Sequence, residues 1–338
     1  MKKYIYIICA VLFLSACKTQ KMFTTLDVLR PAEITFAPGV KDVLIVNNSV
    51  VQPYNVGHLK ENSTLSETVK FDSAALFCNA SLRENLESKE FFNSVNMAQT
   101  NQNKTDNFYK ITTLDKENVK FLCGLYKVDA VISLDHIQTE DNLGQYYSEY
   151  SIIGALDVKV VTTWSVHYPG ATASTFKQFT DEFSWEDESI RNLPTRYDAL
   201  VDASILTGSN VADRMIPRWE KQERYFFTPK NSLMNQAMDS VSRRNWKGAI
   251  ALWKQAAEQS KNNTLKFRAS NNIAIAYEIL GDLDNALEHS QQAVNLYPYV
   301  TIIGFSENDD IYNTIQYNEF LKKRKEEVEL IKKQLSEI

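Results

Sequence analysis

Three hydrophobic patterns succeed one another along the chain. An almost unbroken apolar run, Tyr4 to Phe13, opens it. Strand-like and helix-like segments then interleave, and helical spacing alone governs the remainder. KDVLIVNNSVV (Lys41–Val51) is β-rich with a polar exit and predicts a buried strand. From Asp72 to Phe92 the apolar positions Ala75, Leu76, Cys78, Leu82, Leu86 and Phe91 keep helical spacing. Phe92 to Met97 predicts a second strand, and Asp115 is the expected cap of a second helix. DAVISLDHIQTED and IIGALDVKVVTTWSVHY read as strands, the latter with Leu156, Val158, Val160, Thr162, Trp164 and Val166 on one face. STFKQFTDEFSWED follows the Pro169-Gly170 turn and completes an antiparallel hairpin. Pro194 then opens a helix through Trp219 whose Ala199, Ala203 and Ala212 allow a close approach to a sheet. The order β-α-β-α-β-β-β-α predicts a mixed, partly antiparallel α/β sandwich over 27–225.

Residues 228–338 predict an all-α domain. In NNIAIAYEILGDLDNALEHSQQAVNLYP, Ala274, Tyr277, Gly281, Ala286, Ala293 and Pro298 stand at set steps. The alanines let antiparallel helices touch, Gly281 suits a left-handed helix end, and Pro298 stops the second helix. This segment resembles a tetratricopeptide repeat. Ala237, Ala249 and Ala256 precede Ala274, Ala286 and Ala293 by one constant interval (274 − 237 = 37 residues), against a usual period of about 34. In that earlier copy Arg244 replaces the glycine and Ser240 the aromatic, and the proline is missing. The final stretch, from Asp309, carries Ile311, Ile315, Leu321, Val328, Ile331 and Leu335 down one side. It reads as a capping helix or as a partner-binding coiled coil.

The opening run changes the picture of the whole chain. Lys2 and Lys3 precede it, and Leu14-Ser15-Ala16-Cys17 ends it. It is too short to span a bilayer, which takes roughly 20 apolar residues, and it has the length of a signal-peptide core. The four-residue box resembles a bacterial lipoprotein signal. That resemblance implies removal of 1–16, lipidation of Cys17 and an outer-membrane anchor, with 17–26 as a polar tether. Two or more acyl chains give stable anchoring where one does not. No acidic cluster follows Cys17, so a periplasm-facing location is expected.

Charge and composition then narrow the function classes. The chain has 37 basic and 42 acidic residues and a net charge of −5. This balance argues against a nucleic-acid binder. Cys78 and Cys123 remain after the signal and anchor are set aside, as buried thiols or as a disulfide. The histidines His58, His136, His167 and His289 have no partner at metal-ligand spacing and read as satisfied polar or surface groups. The acidic run Asp181, Glu182, Glu186, Asp187 and Glu188 lacks the spacing of a calcium loop. No catalytic motif, metal site or cofactor site is expected.

One binding surface remains. In tetratricopeptide proteins the first helix of each repeat lines a groove. By that resemblance the groove here includes Met234, Met238 and Val241, then Arg268, Asn271, Ile275 and Glu278. An Arg-Asn pair can hold a peptide backbone or carboxylate, although the same face is equally open to cover by the rest of the chain. The α/β segment is similar in element order to the periplasmic domain of curli-secretion lipoproteins and the amino-terminal part of TolB. The chain as a whole resembles tetratricopeptide lipoproteins of the Bacteroidota. The expected role is a scaffold for a protein partner in the cell envelope. A regulator of an envelope enzyme or channel acting through the α/β segment is the alternative, and an envelope hydrolase the third reading.

Overall fold

A computed structural model describes residues 20–60, 68–147, 149, 151–171, 174–300 and 305–336. The signal, Cys17 and the first part of the expected tether lie outside these residues. The chain divides into two compact units. One comprises residues 31–218 and 332–338, the other residues 1–30 and 219–331.

The α/β unit is built on a six-stranded sheet. Its strands are β2 (Asp42–Asn47), β3 (His58–Lys60), β4 (Ser94–Met97), β5 (Ala130–Tyr147), β6 (Ile152–His167) and β7 (Thr175–Asp187), in the order β4-β2-β5-β6-β7 with β3 beside β5. β2 pairs in parallel with β4 and β5, while β5-β6-β7 is antiparallel. The predicted element order holds in this unit, with the short β3 added. The helices are α1 (Ala74–Ser88), α2 (Lys116–Tyr126) and α3 (Arg196–Met215).

Strand β2 is apolar on both faces because both faces are covered. Val43 and Ile45 join a core with Cys78, Leu82, Ala203 and Val211 of α1 and α3. Leu44 and Val46 join another with Val119, Leu122 and Cys123 of α2. Cys78 and Cys123 are therefore free thiols in separate cores on opposite sheet faces. Ala199, Ala203 and Ala212 are fully buried, as the small-residue pattern requires. Gly208 does the same against α1: a side chain there would collide with the Cys78 carbonyl oxygen. Asp115 caps α2, accepting from the Asn118 amide at 2.8 Å.

The second unit holds five helices: α4 (Ser232–Ser242), α5 (Trp246–Gln259), α6 (Asn263–Ile279), α7 (Leu283–Leu296) and α8 (Phe305–Ser336), the last of which ends beyond the unit's limit at residue 331. Asn231, Asn245, Asn262 and Asp282 cap the first four, each accepting from backbone amides of the first turn. Met234, Ala237, Ala249, Trp253 and Ala276 form their core, with Phe226 stacked 5.5 Å from Trp253.

Two expectations are corrected here. The residues expected as a tether over 17–26 are extended sheet from Gln20 onward. β1 (Gln20–Arg30) pairs with β8 (Arg218–Thr228) in a two-stranded sheet. Residues 27–30 and 219–225 consequently belong with the helices, not with the α/β unit. The helix expected through Trp219 stops at Met215, where Pro217 forces Ile216 into extended backbone.

Candidate functional site

β1, β8, α6 and α8 line an open cavity of about 490 Å³ within the helical unit. Lys21 and Phe23 come from β1, and Arg224 and Tyr225 from β8. Asn271 and Ile275 lie one helical turn apart on α6. Asn313, Thr314, Gln316, Tyr317 and Phe320 complete the wall from α8.

The cations of the cavity, Lys21 and Arg224, are neutralised from within, while Glu223 on the same wall is exposed. Glu278 accepts twice from Arg224, Nε to Oε2 at 2.9 Å and NH2 to Oε1 at 3.0 Å, and from the Tyr317 hydroxyl at 2.8 Å. The Arg224 guanidinium also lies 5.0 Å from the Tyr317 ring centre and 4.5 Å from that of Phe320. Lys21 pairs with Asp310 and stands 4.4 Å from the Tyr225 ring centre. Burial, and then the charge of Glu278, holds the Tyr317 phenol well above the ordinary tyrosine value. Burial and Asp310 raise that of Tyr225 in the same direction. Both rings are neutral at physiological pH.

Asn271 is the polar group the cavity exposes from within. It is only 4% exposed, and its amide meets the Thr314 hydroxyl at 3.3 Å. The rest of that amide faces the cavity. An amide carries both donor and acceptor capacity, and a buried one is stabilised by a partner.

The seven residues assigned to a groove separate into two groups. Asn271 and Ile275 line the cavity, and Glu278 lies against it through Arg224 and Tyr317. Met234 and Val241 are buried core residues, with Met238 packed against the same core. Arg268 stands 5.9 Å from the Phe227 ring centre and is not part of the cavity wall. The expected Arg-Asn pair is therefore not assembled there. Lys21, Phe23, Arg224, Tyr225 and Tyr317 escaped sequence reasoning, since they sit in segments read as tether, domain end and cap. Cys17 lies outside the described residues.

In the α/β unit several titratable groups tie the fold together. Asp141 is buried between His58 and Arg196, tying β3 and α3 to β5. A β-bulge between Leu134 and His136 frees Asp135 to accept from Asn48 at 2.9 Å and Ser133 at 2.7 Å, and from Ser165. All four histidines are buried, which corrects the surface alternative. The acidic run is divided by strand alternation. Asp181 faces inward to Arg214 at 2.6 Å, while Glu182, Glu186 and Glu188 are exposed. Among the described residues no group of three or more His, Cys, Asp or Glu is arranged to hold a metal ion. No helix among them is long and apolar enough to cross a membrane.

Two families match the chain, one for each part. The family described as "Domain of unknown function (DUF8603)" matches residues 40–227, and "Domain of unknown function (DUF6340)" matches residues 235–323. No curated protein matches. Among solved structures, the PelC dodecamer from Paraburkholderia phytofirmans aligns over 58% of this chain and 100% of its own. The identity is 10% and the TM-score 0.26. The crystal structure of an uncharacterised protein aligns over 52% of this chain and 92% of its own, at 10% identity and a TM-score of 0.22. Likeness at that level carries no argument about either unit.

Proposed function

The chain belongs to the DUF8603 family, and from that premise we propose that it is a membrane-anchored envelope lipoprotein whose helical unit holds a protein partner. The observation that carries the partner site is Asn271. A buried amide with one end turned to a cavity of about 490 Å³, among aromatic rings, is built to meet a second polar group. The two cations on the wall are already paired and Glu223 there is an exposed carboxylate, so the occupant is a segment without acidic groups.

A tetratricopeptide-like reading of the helices supports a binding role. α5 and α7 begin at Trp246 and Leu283 and end at Gln259 and Leu296, the same interval of 37 residues that separates the alanines (283 − 246, 296 − 259). Gly281 has φ +77°, and Arg244, at the equivalent step, has φ +56°. All six repeat alanines are 2% exposed or less. Repeats of this kind present extended surfaces to partners.

The anchoring half rests on Leu14-Ser15-Ala16-Cys17. The partner half is tested by capture from membranes with wild type and with Asn271→Leu, which keeps the branched shape and deletes the amide. The expected outcome is loss of the captured partner from the variant; the same partner at the same yield would sink the proposal.

A further inference from the structure

The cavity begins almost at the anchor. Strand β1 starts at Gln20, three residues after Cys17, and Lys21 and Phe23 already form part of the cavity wall. A fully extended chain advances roughly 3.3–3.6 Å per residue, so the four steps from Cys17 to Lys21 span at most about 14 Å. The ten-residue tether expected from the sequence would have reached more than twice as far. β1 is paired with β8, and Lys21 is further held by Asp310 and by the Tyr225 ring. The wall of the cavity is therefore the part of the helical unit tied most directly to the bilayer.

We propose that this cavity docks an extended juxtamembrane segment, free of acidic side chains, of a membrane-embedded protein, at the bilayer surface. The inference rests on the anchored-scaffold reading above and adds the location and chemistry of the occupant. The short link limits what can reach the site to groups near the headgroups. The lining then chooses among them. A phosphate headgroup needs cations, yet Lys21 and Arg224 are committed to Asp310 and Glu278. An acidic peptide would find the same cations already closed and the Glu223 carboxylate exposed on the wall. A neutral polypeptide backbone finds the Asn271 amide within, and Gln222, Asn313 and Gln316 around it. Phe23, 60% exposed, and Ile275, 2% exposed, supply an outer and an inner apolar surface for one side chain.

The test uses the intact, lipidated chain in its native membranes. A photo-crosslinking residue replaces Phe23 or Gln316, both exposed at the cavity. A companion form carries a 24-residue Gly/Ser insert between Thr19 and Gln20, which adds a root-mean-square reach of about 27 Å without touching the fold. The expected result is a crosslink mapping beside a membrane span of the captured protein, with yield about ten-fold lower in the companion form because the local concentration of the partner segment falls. An undiminished crosslink in the companion form would overturn the juxtamembrane placement and leave the scaffold reading standing. Crosslinks to lipid or glycan would overturn the choice of occupant. Crosslinks to a protein at a site remote from any span would overturn the placement as well. No crosslink from either position would remove the partner site, and the scaffold reading with it.

Discussion

The Asn272 side chain bonds both backbone groups of Phe227. Its Oδ1 accepts from the Phe227 amide at 2.8 Å, and its Nδ2 donates to the Phe227 carbonyl at 2.8 Å. A helix residue thus stands in for a missing neighbouring strand at the end of β8, and both residues are fully buried. This pair fixes β8 to α6 one position from Asn271. Asn272→Leu leaves two buried backbone groups without partners, each worth about 1–3 kcal/mol. A loss of about 2–5 kcal/mol in urea unfolding of the helical unit is expected. A change under about 0.5 kcal/mol would show that β8 is held by its aromatic contacts alone.

Arg224 and Glu278 are side chains only 11% and 3% exposed. Removing one partner strands the other charge, so Glu278→Leu is expected to cost about 3–5 kcal/mol. The combined Arg224→Met, Glu278→Leu replacement is expected to recover most of that loss, because neither charge is then left buried. A double-mutant cycle measures it, and additive losses would contradict the account.

Two glycines separate close approach from open space. Gly208→Ala puts a methyl group into the Cys78 carbonyl and within 2.9 Å of Ser81 Cβ. It is expected to destabilise the α/β unit by about 1–3 kcal/mol. Gly124, inside α2, has nothing within 4 Å of a Cβ. Gly124→Ala is expected to stabilise by up to about 1 kcal/mol. Thermal melts of the two variants should move in opposite directions.

His136, His167 and His289 share a pH signature. Burial lowers all three below the ordinary histidine value; Gln138 opposes the shift at His136, and Asp135 at His167. At His289 the charge of Lys254 reinforces it, while Glu288 and Gln292 oppose it. The folded protein therefore binds these protons less readily than the unfolded chain. Their contribution is complete above the unfolded value of about 6.5 and is lost as pH falls through it toward the lowered folded values. The urea midpoint should be lower at pH 5.5 than at pH 7.5, with a smaller difference in His167→Gln. Equal differences would exclude His167 as a contributor.

Legibility in the sequence followed the range of the interactions. The β2 to α3 order was readable because each element announces itself locally: Asp115 as a cap, alternation from Leu156 to Val166, small residues on α3. β1 and β8 were not readable, since each becomes a strand by pairing with the other from almost 200 residues away. QKMFTTLDVLR alternates poorly, and RWEKQERYFFT looks like the end of the preceding helix. The same two strands supply six of the thirteen cavity residues, so much of the site was not visible. Asn271 and Ile275 were named through the resemblance to tetratricopeptide repeats, while Lys21, Phe23, Arg224 and Tyr225 required the fold. Met234, Met238 and Val241 show the converse error, because the repeat resemblance cannot tell a groove from a core.

The central claim is that a lipidated Cys17 holds the Asn271 cavity at the membrane for a partner segment. Crosslinking from position 23 in native membranes tests it most directly, comparing wild type, Asn271→Leu and Cys17→Ala, with palmitate labelling read on the same samples. The account predicts that Cys17→Ala loses both label and crosslink, and that Asn271→Leu keeps the label and loses the crosslink. Equal labelling and equal crosslinking in all three would contradict it.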